Sequence, residues 1–307
     1  MTHWTETDIP NLTGKTAVVT GANSGLGYHT ARALAAAGAQ VIMACRSESK
    51  ATQAMDALRG EVDDASIEFA PLDLASLESV RTFASGLENR PIDLLINNAG
   101  VMAVPYSKTA DGFEMQFGTN HLGHFALTGL LLDQIRDGGR IVSLASMAHR
   151  WTPAINFDDL AWEQRRYKRW QAYGDSKLAN LTFMFELSRR MIAARRNIIV
   201  AGAHPGYAST NLQFVAAAQR KSMIERLVMT IGNAVIGQPA KMGALPSLYA
   251  ATASHVTSGD YIGPGGLQQM RGHPEKVGCR KQARDSVIGE RLWSVSEQLT
   301  DVRYLSD

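Results

Sequence analysis

Short apolar segments with the character of β-strands alternate with segments of helical apolar spacing through the first two thirds of this 307-residue chain. Strands are predicted at Thr16–Thr20, Val41–Ala44, Ile67–Ala70, Leu94–Ile96, Ile141–Ala145 and Ile198–Ala203. Helices are predicted at Gly25–Ala37, Glu48–Leu58, Leu77–Leu87, Asp111–Leu132 and Tyr173–Ala194. Because parallel strands need crossover connections, this alternation predicts an α/β fold with a doubly wound parallel sheet flanked by helices.

The composition is that of a globular domain with a large core. Hydrophobic residues make up 45% of the chain and charged residues 20%, which favours a packed interior over disorder. Neither a repeat nor a Pro- or Ser-rich linker interrupts the pattern, so we predict one domain over residues 1–307. Residues 207–239 are rich in Ala, Met, Ile and Val. They are predicted to form either an apolar substrate lid or an ordinary pair of core-packed helices, and residues 266–307 form a C-terminal tail.

Charge and cysteine content argue against several classes of protein. The net charge of +2 is too balanced for a nucleic-acid-binding surface, which needs a clustered basic face. Cys45 and Cys279 form neither a metal-ligand spacing nor a disulfide framework, which favours a reducing cytoplasmic setting. We see no secretory leader and no apolar run of about 20 residues, so no integral membrane segment is expected.

A turn containing three glycines joins the first predicted strand to the first predicted helix. The segment Gly21-Ala22-Asn23-Ser24-Gly25-Leu26-Gly27 follows the strand directly and opens the helix. Glycines at such a turn let the backbone approach a diphosphate, which binds where amide donors and the helix dipole converge. The spacing therefore predicts a dinucleotide site in a Rossmann-type domain.

The end of the second predicted strand indicates which dinucleotide binds. An acidic residue about 20 residues after the glycine turn would accept a hydrogen bond from a ribose 2′-hydroxyl, whereas an arginine would bind a 2′-phosphate. This chain has Arg46 and Ser47 at that position and no acidic residue at the strand end. Because a guanidinium binds phosphate in a bidentate manner, we predict NADP(H) as the cofactor.

Three further residues suggest acid–base chemistry. Tyr173 and Lys177 lie four residues apart in a predicted helix, so the phenol and the ammonium share one face. A neighbouring cation favours the phenolate, so we expect Lys177 to lower the pKa of Tyr173. Ser146 follows the strand Ile141–Ala145 and could donate a hydrogen bond to a substrate oxygen. Alone, each feature is usually structural, and only their combination with the nucleotide turn points to catalysis.

Taken together, these motifs resemble the short-chain dehydrogenase/reductase family over about residues 13–265. The resemblance is carried, in chain order, by Gly21…Gly25-x-Gly27, Asp73-Leu74, Asn97-Asn98-Ala99-Gly100, Asn120, Ser146, Tyr173-x3-Lys177 and Pro205-Gly206…Thr210. It implies an oxidoreductase that moves a hydride between a nicotinamide and a carbonyl or alcohol carbon.

The resemblance also implies a role for each matching residue. Tyr173 exchanges the proton at the substrate oxygen, Lys177 lowers the pKa of that tyrosine and holds the ribose, and Ser146 polarises the carbonyl. Asn120 anchors a relay water. Further cofactor contacts are implied for Gly21, Asn23, Ser24, Gly25, Leu26, Gly27, Asp73, Leu74, Asn98, Ala99, Gly100, Pro205, Gly206 and Thr210, with Asp73 near the adenine and Thr210 near the carboxamide or a phosphate.

Within the family, two groups look most similar. The segments Met147-Ala148-His149 and Ser176-Lys177-Leu178-Ala179-Asn180 resemble retinol dehydrogenases, which implies a hydrophobic small-molecule substrate. The segment Thr119–Phe125 also resembles light-dependent protochlorophyllide reductase, although Ala179 stands where that enzyme typically has a cysteine. Reduction of a C=C bond, or a non-catalytic NADP-binding sensor, therefore stays as an alternative. A homo-oligomer is possible in each case.

His121 and His124 are spaced as two metal ligands could be, three residues apart in a predicted helix. No third ligand or acidic cluster accompanies them in the sequence, and the family needs no metal here. We therefore predict no metal site.

Overall fold

The computed structural model describes residues 3–207 and 238–305. Its strands are β1 (Thr16–Thr20), β2 (Gln40–Cys45), β3 (Ile67–Pro71), β4 (Ile92–Asn97), β5 (Ile135–Leu144), β6 (Ile199–Ala203), β7 (Tyr261–Pro264) and β8 (Pro274–Lys276). They form one sheet in the order β3-β2-β1-β4-β5-β6-β7-β8. All neighbours run parallel except β7 and β8, which are antiparallel. The predicted α/β class with a doubly wound parallel sheet is confirmed, with one antiparallel edge added.

Helices cover both faces of this sheet. They are α1 (Gly25–Ala36), α2 (Glu48–Glu61), α3 (Leu77–Gly86), α4 (Met115–Phe117), α5 (Gly123–Leu131), α6 (Arg169–Ala193), α7 (Ala240–Thr252) and α8 (Ser286–Thr300). On one face Phe125 of α5, Phe183 of α6 and Trp293 of α8 share a buried cluster. On the other face, Leu34 of α1 packs in a second cluster with Leu248 of α7. Because β1 pairs with both β2 and β4, the strand order reverses there, where such sheets bind ligands.

The predicted helix Asp111–Leu132 is wrong over its first turn and interrupted further on. Gly112 has a φ of +85°, and helical structure begins only at Met115, where the carboxylate of Glu114 accepts hydrogen bonds from the first amides. Residues Gly118–Leu122 then form a π-helix between α4 and α5. A π-turn inserts one extra residue per turn and is frequent at functional sites.

Other predicted boundaries differ by a few residues. The helix predicted at Tyr173–Ala194 begins four residues earlier, at Arg169, and β5 begins at Ile135 rather than Ile141. The segment predicted as a tail contains β8 and α8, and it buries Trp293 and Tyr304 against α5 and α6. None of the helices within residues 3–207 and 238–305 combines the length and apolarity that a membrane crossing requires.

Candidate active site

A cavity of about 330 Å³ opens at the carboxyl ends of β1, β2 and β4. It brings together most of the residues predicted to bind a dinucleotide: Gly21, Asn23, Ser24, Gly25, Leu26, Gly27, Arg46, Asp73, Leu74, Asn98, Ala99 and Gly100. Sequence reasoning missed Ala44, Cys45, Leu72, Val101, Met102, Val104 and Thr119, which also line it. Val101 and Met102 directly follow the predicted Gly100, and Cys45, Leu72 and Thr119 each directly precede a predicted residue. Adjacency to these residues in the sequence was therefore the available signal.

The glycine turn is packed too tightly for side chains. A Cβ atom on Gly27 would lie 2.3 Å from the carbonyl oxygen of Gly21 and 2.6 Å from the side-chain nitrogen of Asn98. Gly21 and Gly25 have positive φ angles, +65° and +55°, which other residues rarely adopt. The turn therefore needs these glycines for its own geometry. The first residues of α1, whose amides have no partner within the helix, line the cavity, and a helix N-terminus is a typical phosphate site.

Thr20 ties the end of β1 to the loop after β4. Its hydroxyl oxygen accepts hydrogen bonds from the backbone amides of Asn98 and Ala99, both at 2.9 Å. Its carbonyl oxygen accepts a third from the side chain of Asn98 at 2.7 Å. These bonds hold two walls of the cavity in register, a role that the sequence analysis did not assign to Thr20.

Arg46 lines the cavity but keeps most of its side chain exposed. Its guanidinium lies 3.9 Å from the carboxylate of Asp73, with the two side chains 74% and 36% exposed. An ion pair so exposed contributes little to stability, so the guanidinium is available to an anionic ligand. Ser47 is not among the residues that line the cavity. It is the N-cap residue of α2, and its hydroxyl lies 3.3 Å from that of Ser49.

A second, larger cavity of about 630 Å³ adjoins the first and shares Leu26, Asn98, Gly100, Val101 and Met102 with it. The predicted residues Ser146, Tyr173, Lys177, Pro205 and Gly206 line it. Tyr207, the first residue of the predicted lid, also lines it. Its other walls were missed from the sequence: Leu144, Ala145, Met147, Arg150, Trp151, Trp170, Gln268, Gln269 and Met270. Most of this lining is apolar. Trp170 lies one helical turn before Tyr173, so helical spacing could have identified it.

Burial dominates the environment of Tyr173, and the expectation that Lys177 lowers its pKa stays a prediction. Burial raises the pKa of Tyr173 to about 12, and a hydrogen bond with Ser146 lowers it only in part. Burial also lowers the pKa of Lys177 to about 8, so its charge is weakened. The ammonium nitrogen lies 5.8 Å from the centre of the Tyr173 ring and donates to the carbonyl of Leu144 at 3.2 Å. Burial is thus the main cause of both pKa shifts.

Asn120 lies behind these residues in the π-helix and is fully buried. Its side-chain oxygen accepts from the amide of Val101 at 2.7 Å. Its side-chain nitrogen donates to the carbonyl of Val101 and to the hydroxyl of Ser176, both at 2.9 Å. The Ser176 hydroxyl in turn donates to the carbonyl of Tyr173 at 2.8 Å. Asn120 thus fixes the loop after β4 against the helix that carries Tyr173.

Some predicted residues lie outside the part of the chain that the structure describes. They include Thr210, predicted to contact the cofactor, and most of the predicted lid at 207–239. Among the described residues, no group of three His, Cys, Asp or Glu side chains is arranged to hold a metal ion.

Comparisons with known proteins agree with this geometry. The short chain dehydrogenase family profile matches residues 15–157. Human retinol dehydrogenase 13 is 42% identical over 294 residues, covering 94% of this chain and 85% of that protein. Mouse retinol dehydrogenase 14 is 40% identical over 308 residues, covering 94% of this chain and 86% of that protein.

Two solved structures are similar over most of their length. An uncharacterized protein from Mycobacterium paratuberculosis is 44% identical, with a TM-score of 0.83 covering 99% of this chain and 100% of that one. A protein from Beutenbergia cavernae described as an NAD(P)-dependent gluconate 5-dehydrogenase, solved with NADP bound at low occupancy, is 26% identical, with a TM-score of 0.61 over 82% of this chain and 95% of that one. With a glycine turn, a buried Tyr–Lys pair and relatives of this identity, the chain belongs to the short-chain dehydrogenase/reductase family of oxidoreductases and resembles the retinol dehydrogenases.

Proposed function

We propose that this protein is an NADP(H)-dependent oxidoreductase that interconverts a carbonyl and an alcohol on a hydrophobic small molecule. The observation that carries the proposal is the junction of the two cavities. The glycine-lined cavity meets the apolar one at Leu26, Asn98 and Gly100–Met102, and Ser146, Tyr173 and Lys177 line the apolar side. A nicotinamide held at that junction would supply or accept a hydride.

The residues at the junction have complementary tasks in this proposal. With a pKa raised to about 12, Tyr173 keeps its proton at neutral pH and can donate it to the oxygen of a carbonyl undergoing reduction. Ser146, which is hydrogen-bonded to that phenol, would donate to the same oxygen and orient it. Lys177, with a pKa of about 8, would contact the ribose hydroxyls and support the developing phenolate.

The cavity residues suit a dinucleotide, and Arg46 favours the form with a 2′-phosphate. Its side chain is three-quarters exposed at the cavity wall, and a structure 26% identical to this chain holds NADP at low occupancy. One charge-assisted hydrogen bond contributes about 1.5–3 kcal/mol, or roughly ten- to a hundredfold in affinity. Asp73 lies 3.9 Å from the guanidinium, so a bound phosphate must compete with this carboxylate.

The test of cofactor preference is a pair of titrations with NADPH and NADH. We expect NADPH to bind at least about tenfold more tightly, and Arg46→Ala to remove most of that margin while leaving NADH affinity unchanged. Arg59→Ala is the matched control, because Arg59 is an exposed arginine that pairs with Asp56 and does not line the cavity. Equal affinities for the two cofactors in the unmodified protein would overturn the role of Arg46.

The substrate in this proposal is an apolar aldehyde or ketone, or the corresponding alcohol. Trp151 and Trp170 face each other edge-on with ring centres 5.8 Å apart, and Trp170 lies 6.3 Å from the ring of Tyr173. Aromatic walls this close to the proton donor suit a bulky or conjugated apolar group, and the names of the similar retinol dehydrogenases make retinoids the first candidates. A panel of retinal, steroid ketones and short-chain aldehydes, followed by NADPH absorbance, tests this. Turnover only of small polar carbonyls would contradict it.

A further inference from the structure

The two histidines with metal-like spacing have other partners in the structure. His124, at the start of α5, is fully buried. One of its ring nitrogens, Nε2, lies 2.9 Å from the hydroxyl oxygen of Thr20. The other, Nδ1, lies 2.9 Å from the backbone carbonyl of Asn120. The imidazole therefore bridges the end of β1 and the π-helix.

The partners of Thr20 determine which nitrogen of His124 carries the proton. The hydroxyl oxygen of Thr20 already accepts from the amides of Asn98 and Ala99, which uses both of its lone pairs. Its own proton points to His124 at 2.9 Å rather than to the more distant carbonyl of Ile96 at 3.3 Å. Nε2 is then an acceptor and Nδ1 carries the proton, as the bond to the Asn120 carbonyl requires independently.

The bridge joins the two halves of the proposed site. Thr20 accepts hydrogen bonds from the amides of Asn98 and Ala99, which line the glycine-lined cavity, from here on called the nucleotide cavity. Asn120 leads through Ser176 to the backbone of Tyr173. His124 adds a second connection between these two sets, beside the direct bonds of the Asn120 side chain to Val101 in the loop after β4. A shift of Thr20 would therefore also displace the backbone of Asn120.

We propose that His124 is a positioning residue: as a neutral imidazole protonated on Nδ1, it sets the nucleotide cavity and Asn120 in fixed relation. This inference rests on the proposed function, because it assigns His124 a part in cofactor affinity and turnover. The residue touches neither cavity, so it acts only through Thr20 and Asn120.

His121 provides a matched control three residues earlier. It is equally buried and its Nε2 lies 2.8 Å from the hydroxyl of Ser296 on α8. That hydroxyl donates its proton to the carbonyl of Leu292, so it can only accept from His121, and His121 is protonated on Nε2. The two histidines thus share burial, neutrality and a hydroxyl partner, but His121 bonds to the C-terminal helix and not to the network of the site.

The first experiment compares three variants by NADPH titration and by steady-state kinetics on a carbonyl that the unmodified protein accepts. His124→Phe loses both bonds, so we expect a rise in NADPH Kd and a fall in kcat of about tenfold each. His124→Asn keeps an amide donor where Nδ1 stood and loses the Thr20 end, so Kd should rise while kcat changes less than about twofold. His121→Phe should lower Tm but leave Kd and kcat within about twofold.

The outcomes separate this inference from the proposed function. If the unmodified protein binds neither NADPH nor NADH, the proposed function fails. If it binds NADPH and His124→Phe binds it equally well with unchanged kcat, or if His121→Phe alters both as strongly, the role of His124 fails. If His124→Phe does not fold, the NADPH Kd of His124→Asn decides instead: a raised Kd supports the role of His124, and an unchanged Kd overturns it.

A second measurement tests the tautomers directly. In protein labelled with ¹⁵N-histidine, the imidazole nitrogens of His124 should report a proton on Nδ1, and those of His121 a proton on Nε2, throughout pH 6–8. A proton on Nε2 of His124, or its conversion to imidazolium in that range, would overturn the bridge.

Discussion

Among single residues, Tyr173 has the most defined chemical task in the proposed function. Replacing it with Phe keeps the buried ring and removes the proton that the pKa of about 12 holds in place. We expect kcat to fall by about 10²–10⁴-fold, the usual contribution of a positioned acid or base, with the NADPH Kd nearly unchanged. Steady-state kinetics on an accepted carbonyl measure this. Tyr106→Phe is the control, since that tyrosine is 42% exposed, and near-normal turnover by Tyr173→Phe would contradict the mechanism.

The identity of such residues was predictable from the sequence, but their electrostatics were not. The four-residue spacing of Tyr173 and Lys177 correctly predicted a shared helix. Their pKa shifts come from burial, to which groups distant in the sequence contribute. The nearest partner of Lys177, for instance, is the carbonyl of Leu144, 33 residues away. Spacing within one helix carries no information about such neighbours.

At the level of elements, the close approach of α1 to the ends of β1 and β4 determines the shape of the nucleotide cavity. Gly27→Ala would place a Cβ atom 2.3 Å from the Gly21 carbonyl, so α1 must move away and displace the amides that face the cavity. We expect a lower Tm and a rise in NADPH Kd of more than about tenfold. Gly60→Ala is the matched control: Gly60 is also helical but a Cβ atom there meets nothing within 4 Å. That change should leave Kd unaltered and stabilise the fold slightly. Equal Kd values in the two variants would contradict this account.

The interiors of the elements were predicted better than their ends. The alternation of apolar segments located β1 to β6 because most of them are buried runs between helices, with β3 only half-buried. The strands β7 and β8 were not predicted because four and three residues are too few to show a period. The helix α7 is buried along most of its length and lacks a polar face, whereas α8 has one buried face and its spacing could have identified it. The π-helix at Gly118–Leu122 also escaped prediction. Its side chains bond to residues outside the helix, Asn120 to Val101 and the adjoining His124 to Thr20, and such partners are not visible in a helical pattern.

For the whole molecule, buried neutral histidines predict sensitivity to acid. Burial lowers the pKa of His121 to about 3, of His124 to about 4 and of His204 to about 3. As pH falls from about 6.5 towards 4, the unfolded chain binds protons at these sites and the folded protein does not. Their contribution to stability is therefore complete above pH 6.5 and is lost as the pH decreases. Asp175, whose pKa burial raises to about 6, acts in the opposite direction.

Urea unfolding between pH 6 and pH 5 measures this dependence. Each such histidine should contribute a slope of about 1.4 kcal/mol per pH unit once the unfolded side chain is mostly protonated. His121→Phe removes one of these sites, so its slope should be smaller than that of the unmodified protein by up to this amount, whereas Asp175 affects both equally. Identical slopes would show that His121 does not remain neutral in the folded state.

In the proposed function, a hydride passes between a nicotinamide and a carbonyl carbon at the junction of the two cavities. The most direct measurement supplies the protein with NADPH carrying deuterium at the transferred C4 position, together with retinal or another accepted carbonyl, and locates the label in the product by mass spectrometry and NMR. We expect one deuterium per turnover, bound to the new carbinol carbon. Tyr173→Phe should form this labelled product only at its residual rate of turnover. Deuterium on a former C=C carbon, or binding of NADPH without transfer to any carbonyl of the panel, would contradict it.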